Sequence, residues 1–145
     1  MALNILSAEN ILLGQNITSK ESAIRLTGQI LVDRGYVDAS YVDKMLEREK
    51  LTSTYMGNFV AIPHGTEDAK HAVKESGISI IQVPDGVDFG NGNIVKLLFG
   101  IAGKNNEHLD ILSNIAIVCS EEENVTKIVN ATTKEEILAL FEGVN

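Results

Sequence analysis

Cysteine is almost absent from the chain, because Cys119 is the only one among 145 residues. No disulfide can therefore form within the chain, which favours an intracellular protein. Cys119 follows Ile115, Ile117 and Val118 in an apolar helical stretch. We expect it to pack in the core rather than act as a reactive thiol.

Long apolar runs and an excess of basic residues are also missing. No apolar run approaches the ~18 residues of a membrane-spanning helix. The segment 1–4 has neither the basic region nor the cleavage site of a signal peptide. Twelve basic residues stand against 20 acidic ones, a formal charge of −8. Nucleic-acid binding needs a basic surface and is therefore not expected, whereas an acidic surface can attract a basic protein partner.

The middle of the chain has the composition of a sheet. Apolar runs predict strands at Phe59–Ile62, Gly77–Val83 and Ile94–Ala102, the last buried on both faces. Pro84-Asp85-Gly86 and Gly90-Asn91-Gly92-Asn93 predict turns, so the last two strands should form an antiparallel hairpin.

Four capping patterns mark helix starts on either side of these strands. Three are capping boxes, Thr18–Glu21, Ser120–Glu123 and Thr132–Glu135, and Asp38 can cap a further helix. The sequence therefore predicts an α/β three-layer sandwich, in which a mixed central sheet has helices on both faces. We expect residues 1–145 to form a single domain.

His64 is the first candidate for chemistry. It follows the strand Phe59–Ile62 directly, between Pro63, which stiffens the backbone, and Gly65, which leaves room for a bulky group near the main chain. A neutral imidazole presents one free ring nitrogen and can act as a nucleophile. The same position also suits a histidine whose ring nitrogens are both satisfied by neighbours.

His108 is the second candidate. Asn105 or Asn106 can cap the following helix, which places His108 in or near its first turn, over the apolar face. A helix start favours a bound anion, and its free N–H groups can help to hold phosphate. A buried histidine bonded to a carbonyl is the alternative.

Arg48 is the third candidate, at the end of the helix that contains Tyr41 and Met45. A guanidinium there can bind an anion through two hydrogen bonds, or it can simply complement the helix dipole. His71 lies in a polar stretch and is expected to be solvated. One cysteine and scattered histidines do not make a zinc site, and the chain has no G-x-S-x-G hydrolase motif.

The run from Arg48 to Thr66 closely resembles the phosphorylation-site region of one family. This family is the enzyme IIA component of the bacterial phosphoenolpyruvate-dependent sugar phosphotransferase system, mannitol/fructose class. The stretch Asn105–Leu109 is similar to the mannitol members in particular, and the resemblance extends over nearly the whole chain. It implies a mixed sheet flanked by helices, as expected above.

The resemblance also implies roles for the three candidates. His64 would take a phosphoryl group on Nε2 from the histidine-containing phosphocarrier protein and pass it to a cysteine of the mannitol-specific IIB domain. His108 and Arg48 match the two supporting active-site positions of the family. The resemblance implies a cytoplasmic phosphotransferase component that needs no metal and no organic cofactor. The acidic charge and the short apolar runs noted above exclude nucleic-acid binding and membrane insertion.

Two other functions are compatible with the sequence. The first is a regulatory nitrogen-type or a fructose-type IIA protein of the same fold, against which the Asn105–Leu109 stretch argues. The second is a small hydrolase that uses His64 as a general base. A stable phosphohistidine would exclude the hydrolase.

Overall fold

Five strands form one mixed sheet in the order β1-β4-β5-β3-β2, within the residues 6–105 and 107–142 that the computed structural model describes. The strands are β1 (Ile11–Leu12), β2 (Tyr55–Gly57), β3 (Val60–Ala61), β4 (Gly77–Asp88) and β5 (Ile94–Ala102). β5 lies at the centre, parallel to β3 and antiparallel to β4. The predictions of a mixed sheet and of a central, buried β5 are confirmed.

Helices cover both faces of this sheet. They are α1 (Lys20–Asp33), α2 (Ser40–Leu51), α3 (Glu107–Cys119), α4 (Glu122–Val129) and α5 (Lys134–Glu142), with short 3-10 helices at Ala8–Asn10 and Glu67–Ala72. None of the described helices is both long enough and apolar enough to cross a membrane.

Two apolar clusters separate the layers. Leu97, Phe99 and Ile101 of β5 pack with residues of α3, α4 and α5. Leu98 and Ala102, on the opposite face of the same strand, pack with residues of α1 and α2. Successive side chains of a strand point to opposite faces, so the apolar strand β5 contributes residues to both clusters. The predicted three-layer sandwich is confirmed.

The hairpin between β4 and β5 differs from the prediction at one point. The chain reverses at Gly90–Asn93, where the Asn93 N–H donates to the Gly90 carbonyl at 3.0 Å, as expected. The predicted turn at Pro84–Gly86 is wrong, because β4 continues to Asp88. The pairing register shifts between Gln82 and Val87, and Gly86 has φ +82°. The turn-favouring residues Pro84, Asp85 and Gly86 therefore form a bulge within β4 rather than a turn.

All four helix starts lie one residue later than the capping patterns predict. Ser19, rather than Thr18, caps α1, and its hydroxyl accepts from the Ser22 N–H at 3.1 Å. Thr133, rather than Thr132, caps α5 in the same way. Adjacent hydroxyls are equally good caps, so the pattern alone could not choose between them.

The other two starts lack a side-chain cap. α2 follows Ala39, while Asp38 instead pairs with Lys74 at 3.2 Å. α4 follows Glu121, and the Ser120 hydroxyl donates back to α3. Asp38 and Ser120, the two predicted caps, therefore bond to other partners instead of capping these helices.

Cys119 ends α3 and is 2% exposed. Burial raises the pKa of its thiol to about 12, so the thiol remains protonated at neutral pH. The prediction of a core cysteine is confirmed.

Candidate functional site

His64 lies three residues beyond the end of β3, at the C-terminal end of that strand. It continues the parallel pairing with β5, since the Ile101 N–H donates to the Pro63 carbonyl at 2.9 Å. The residue is 9% exposed, and its Nδ1 lies 2.7 Å from the Ile62 carbonyl oxygen. A carbonyl can only accept, so Nδ1 carries the proton. In the neutral ring Nε2 is therefore the unprotonated nitrogen.

Tyr41 of α2 fixes the backbone on the other side of His64. Its hydroxyl accepts from the Gly65 N–H at 2.9 Å and donates to the Ile101 carbonyl at 2.8 Å. A Cβ at position 65 would lie 2.6 Å from Tyr41 Cε1. The room that Gly65 provides is thus filled by the Tyr41 ring. The sequence reasoning missed this role, because it treated Tyr41 only as part of an apolar stripe.

His108 is the second residue of α3, and its ring faces that of His64. The two ring centroids are 4.9 Å apart with an interplanar angle of 56°. The prediction that His108 lies in the first turn is confirmed. Asn105 lies ahead of the helix with φ +60°, and Asn106, the other candidate cap, lies outside the described residues.

Gly103, at the end of β5, allows this close approach of α3. A Cβ at position 103 would lie within 2.4–2.5 Å of the backbone N and the Cα of His108. Backbone atoms cannot rotate away as a flexible side chain can. Gly103 therefore determines where His108 lies, although the sequence reasoning did not single it out.

Arg48 lies in the last turn of α2 and lines the same cavity as the two histidines. Its Nη1 donates to the Thr52 carbonyl just beyond the helix end at 2.7 Å. Arg48 thus satisfies a helix-end carbonyl and also places positive charge at the cavity, while the binding of an anion by its guanidinium stays a prediction. His71 is exposed and does not line the cavity, which confirms that it is solvated.

The cavity has a volume of ≈ 470 Å³ and gathers the three sequence candidates. Its other lining residues come from α2, from the segment after His64 and from Gly103. The charged ones besides Arg48 are Glu47, Glu67, Asp68 and Lys70. Three carboxylates thus stand against the two cations Arg48 and Lys70, so a bound anion should be held only moderately. Among the side chains that the structure describes, no group of three from His, Cys, Asp or Glu could hold a metal ion.

Burial lowers the pKa of His64, and the Nδ1 bond to Ile62 opposes this only in part. Burial also lowers the pKa of His108, and the nearby His64 lowers it further. Both effects disfavour the imidazolium form. The two rings are therefore neutral at neutral pH, with a nucleophilic nitrogen available on His64.

Comparison with known proteins identifies the family. The sequence pattern of the phosphoenolpyruvate-dependent sugar phosphotransferase system, EIIA 2, matches residues 4–144. The chain belongs to the EIIA 2 family. The resemblance found in the sequence is thereby confirmed.

Close relatives of this EIIA 2 protein are mannitol-specific phosphotransferase enzyme IIA components. The one from Geobacillus stearothermophilus is 70% identical over 100% of both chains. The one from Bacillus subtilis is 60% identical over 99% of this chain and 100% of the relative. A solved complex of enzyme IIAMTL and phosphorylated enzyme IIBMTL from Escherichia coli matches with a TM-score of 0.91 and 42% identity, over 95% of this chain and 97% of that one.

The two buried histidines should make the stability of this EIIA 2 protein depend on pH. Their folded pKa values lie below the ordinary value of about 6.5, so below that pH the unfolded chain binds more protons than the folded chain. The histidine contribution is thus fully present above about pH 6.5 and is lost as pH falls through the folded pKa values. The slope is at most about 1.4 kcal/mol per pH unit for each ring.

Urea unfolding between about pH 7.5 and about pH 5.5 measures this slope. The double variant His64→Gln/His108→Gln should show a flatter dependence, whereas His71→Gln should keep that of the unchanged protein. An equally steep dependence in the double variant would show that other groups cause it.

Proposed function

We propose that this EIIA 2 protein is a phosphoryl carrier of mannitol uptake that works in the cytoplasm as one IIA domain. His64 accepts a phosphoryl group from the histidine-containing phosphocarrier protein and donates it to a cysteine of the mannitol-specific IIB protein. The observation that carries the proposal is the Nδ1 bond of His64 to the Ile62 carbonyl, which leaves Nε2 free beside His108. The names of the relatives support mannitol as the sugar.

Each transfer forms one bond to phosphorus and breaks another. The lone pair on Nε2 of His64 attacks phosphorus while the bond to the phosphocarrier histidine breaks, and that histidine recovers its electron pair. The proton on Nδ1 stays in place throughout. The positive charge of the phosphorylated ring is stabilised there, because the Ile62 carbonyl accepts a charge-assisted hydrogen bond.

The second transfer uses the same arrangement in reverse. A cysteine thiolate of the IIB protein attacks phosphorus, the bond to Nε2 breaks, and His64 returns to its neutral form. A ring that keeps its Nδ1 proton is a good leaving group, because it leaves as a neutral imidazole. A carrier needs this reversibility, and the carboxylates around the cavity keep the phosphoryl group from being held too tightly.

His108 and Arg48 supply the positive and hydrogen-bonding groups around the transferring phosphoryl group. Charge spreads over its three equatorial oxygens in the transition state. Donors already fixed in the cavity stabilise that charge without reorganising at the moment of transfer. Arg48 can offer the guanidinium nitrogens that are not bonded to Thr52, and His108 can offer a ring N–H.

The proposal is tested by phosphorylating the purified protein with phosphorylated phosphocarrier protein and then adding candidate IIB proteins. We expect an acid-labile phosphohistidine that is passed fastest to a mannitol IIB protein. Rapid transfer to a fructose IIB protein and to no other would show that the sugar is fructose rather than mannitol. A stable phosphohistidine that no IIB protein can remove would favour a regulatory IIA protein, and failure to form one would end the proposal.

His108→Ala should retain some phosphorylation but slow transfer to the IIB protein. Loss of one donor to a transferring group typically costs about 10²-fold in rate. Rapid-quench measurement of the two transfers, with His71→Ala as the control, checks this. Rates equal to those of the control in both steps would make His108 a packing residue only.

A further inference from the structure

Glu49 is a buried carboxylate that the proposed mechanism does not use. It follows Arg48 in α2 and is 6% exposed. Its oxygens accept from the Thr54 N–H at 3.0 and 3.1 Å and from the Thr54 hydroxyl, and Lys20 Nζ lies 3.1 Å away. Burial alone would raise the pKa of Glu49, but these hydrogen bonds lower it overall. The carboxylate is therefore ionised and fully partnered.

Thr54 connects this carboxylate to the strand that leads to His64. Its own side chain and backbone are buried, with 4% exposure. Its carbonyl accepts from the Ile62 N–H at 3.1 Å. The Ile62 carbonyl in turn accepts the Nδ1 proton of His64 at 2.7 Å. Three successive hydrogen bonds thus join the Glu49 carboxylate to the imidazole.

We propose that Glu49 is a positioning residue for His64, acting through Thr54 and Ile62 to keep the acceptor of the Nδ1 proton in place. This inference rests on the proposed function in one respect, since the reaction it serves is phosphoryl transfer by His64. A buried carboxylate needs several donors, and two of those of Glu49 are the N–H and the hydroxyl of Thr54, whose carbonyl bonds the Ile62 N–H. Neutral glutamine of the same shape cannot reproduce this arrangement, because an NH₂ group replaces one of the two oxygens and faces either the Thr54 donors or Lys20.

The position of Glu49 in α2 gives this arrangement a second consequence. Arg48, one residue earlier, lines the cavity, while Glu49 points away from it and holds Thr54. The C-terminal end of α2 therefore positions Arg48 at the cavity and, through Glu49 and Thr54, also positions the Ile62 carbonyl that orients His64. The charge of Glu49 also raises the pKa of His64, against the effect of Arg48.

The variant Glu49→Gln tests this inference through two readouts. The ring ¹⁵N shifts of His64 report which nitrogen carries the proton, and we expect a smaller Nδ1–H population than in the unchanged protein. Single-turnover phosphoryl transfer should slow about tenfold while the affinity for the phosphocarrier protein changes less than about twofold, because misplacement affects the reaction more than binding. Glu21→Gln is the matched control, since it removes an exposed carboxylate from the neighbouring helix α1.

Two variants of Thr54 keep the inference testable if Glu49→Gln fails to fold. Thr54→Val removes the hydroxyl bond but keeps the N–H bond, and it should shift the tautomer and the rate in the same direction by a smaller amount. Thr54→Ser keeps the hydroxyl bond and the N–H bond, so it should have the tautomer and the transfer rate of the unchanged protein. Lys20→Met removes the ion pair with Glu49 and the contacts of Nζ with Phe89 but keeps both Thr54 bonds, so it should leave the His64 tautomer unchanged.

The outcomes separate this inference from the proposed function. If Glu49→Gln, or Thr54→Val in its place, matches Glu21→Gln in both tautomer and rate, Glu49 does not position His64. If the unchanged protein accepts no phosphoryl group, the proposed function fails. The tautomer comparison then still decides whether Glu49 orients the ring.

Discussion

Replacing His64 with alanine is expected to abolish phosphoryl uptake from the phosphocarrier protein. The substitution removes Nε2, the ring nitrogen that the Nδ1–H bond to the Ile62 carbonyl leaves unprotonated in the cavity lined by Arg48. His108 should not substitute for it, because its ring lies on a different element and the Ile62 carbonyl that fixes the tautomer bonds to His64 instead. We expect uptake to fall by more than about 10⁴-fold, the scale on which loss of a covalent nucleophile acts. Transfer of ³²P from the labelled phosphocarrier protein measures it.

His71→Ala provides a matched control for this experiment. It makes the same chemical change at an exposed histidine that does not line the cavity, so uptake should equal that of the unchanged protein. Circular dichroism should show both variants folded. Normal labelling of His64→Ala would end the assignment of His64 as the acceptor, and labelling at His108 in that variant would move the role to the neighbouring ring.

The parts of the fold that sequence predicted well are those with long apolar patterns. β5 begins and ends where its apolar run does, and β4 begins at Gly77 as predicted. β1 and β2 were missed, because strands of two or three residues show no periodicity and exist only through pairing with their neighbours. The bulge in β4 was read as a turn for a related reason. Proline and glycine mark a local change in backbone direction but do not say whether a distant strand continues the pairing.

The candidate site was predictable in its side chains but not in its supports. His64 stood out because proline, histidine and glycine follow a strand directly, whereas Arg48 and His108 each had an equally simple structural explanation. The groups that orient His64 lie far away in sequence or belong to the backbone. Tyr41 reaches across 24 residues to Gly65, and the acceptor of the Nδ1 proton is a carbonyl. Every residue has a carbonyl, so no sequence pattern can identify the one that matters.

Replacing Gly103 with alanine is expected to slow transfer by up to as much as the removal of the His108 ring does. The new Cβ would meet the backbone N and Cα of His108 at 2.4–2.5 Å, so the start of α3 must move. Overpacking of this kind typically costs about 1–3 kcal/mol of stability. A displacement of about 1 Å at a reacting group can cost about 10²-fold in rate. We therefore expect slower transfer to the IIB protein by up to about 10²-fold, at a temperature where the variant is fully folded.

Gly100→Ala separates the displacement of His108 from simple destabilisation. Gly100 lies on the same strand, and its Cβ would lie 2.3 Å from Ser79 Oγ and 2.8 Å from Thr27 Cβ, away from His108. Both variants should lower the unfolding temperature, but only Gly103→Ala should change the ring NMR signals of His64 and His108 and slow the transfer. Equal transfer rates in the two folded variants would mean that the separation of the histidine rings does not limit the reaction. The rate of transfer would then depend on Arg48 and on the orientation of His64, and not on the position of His108.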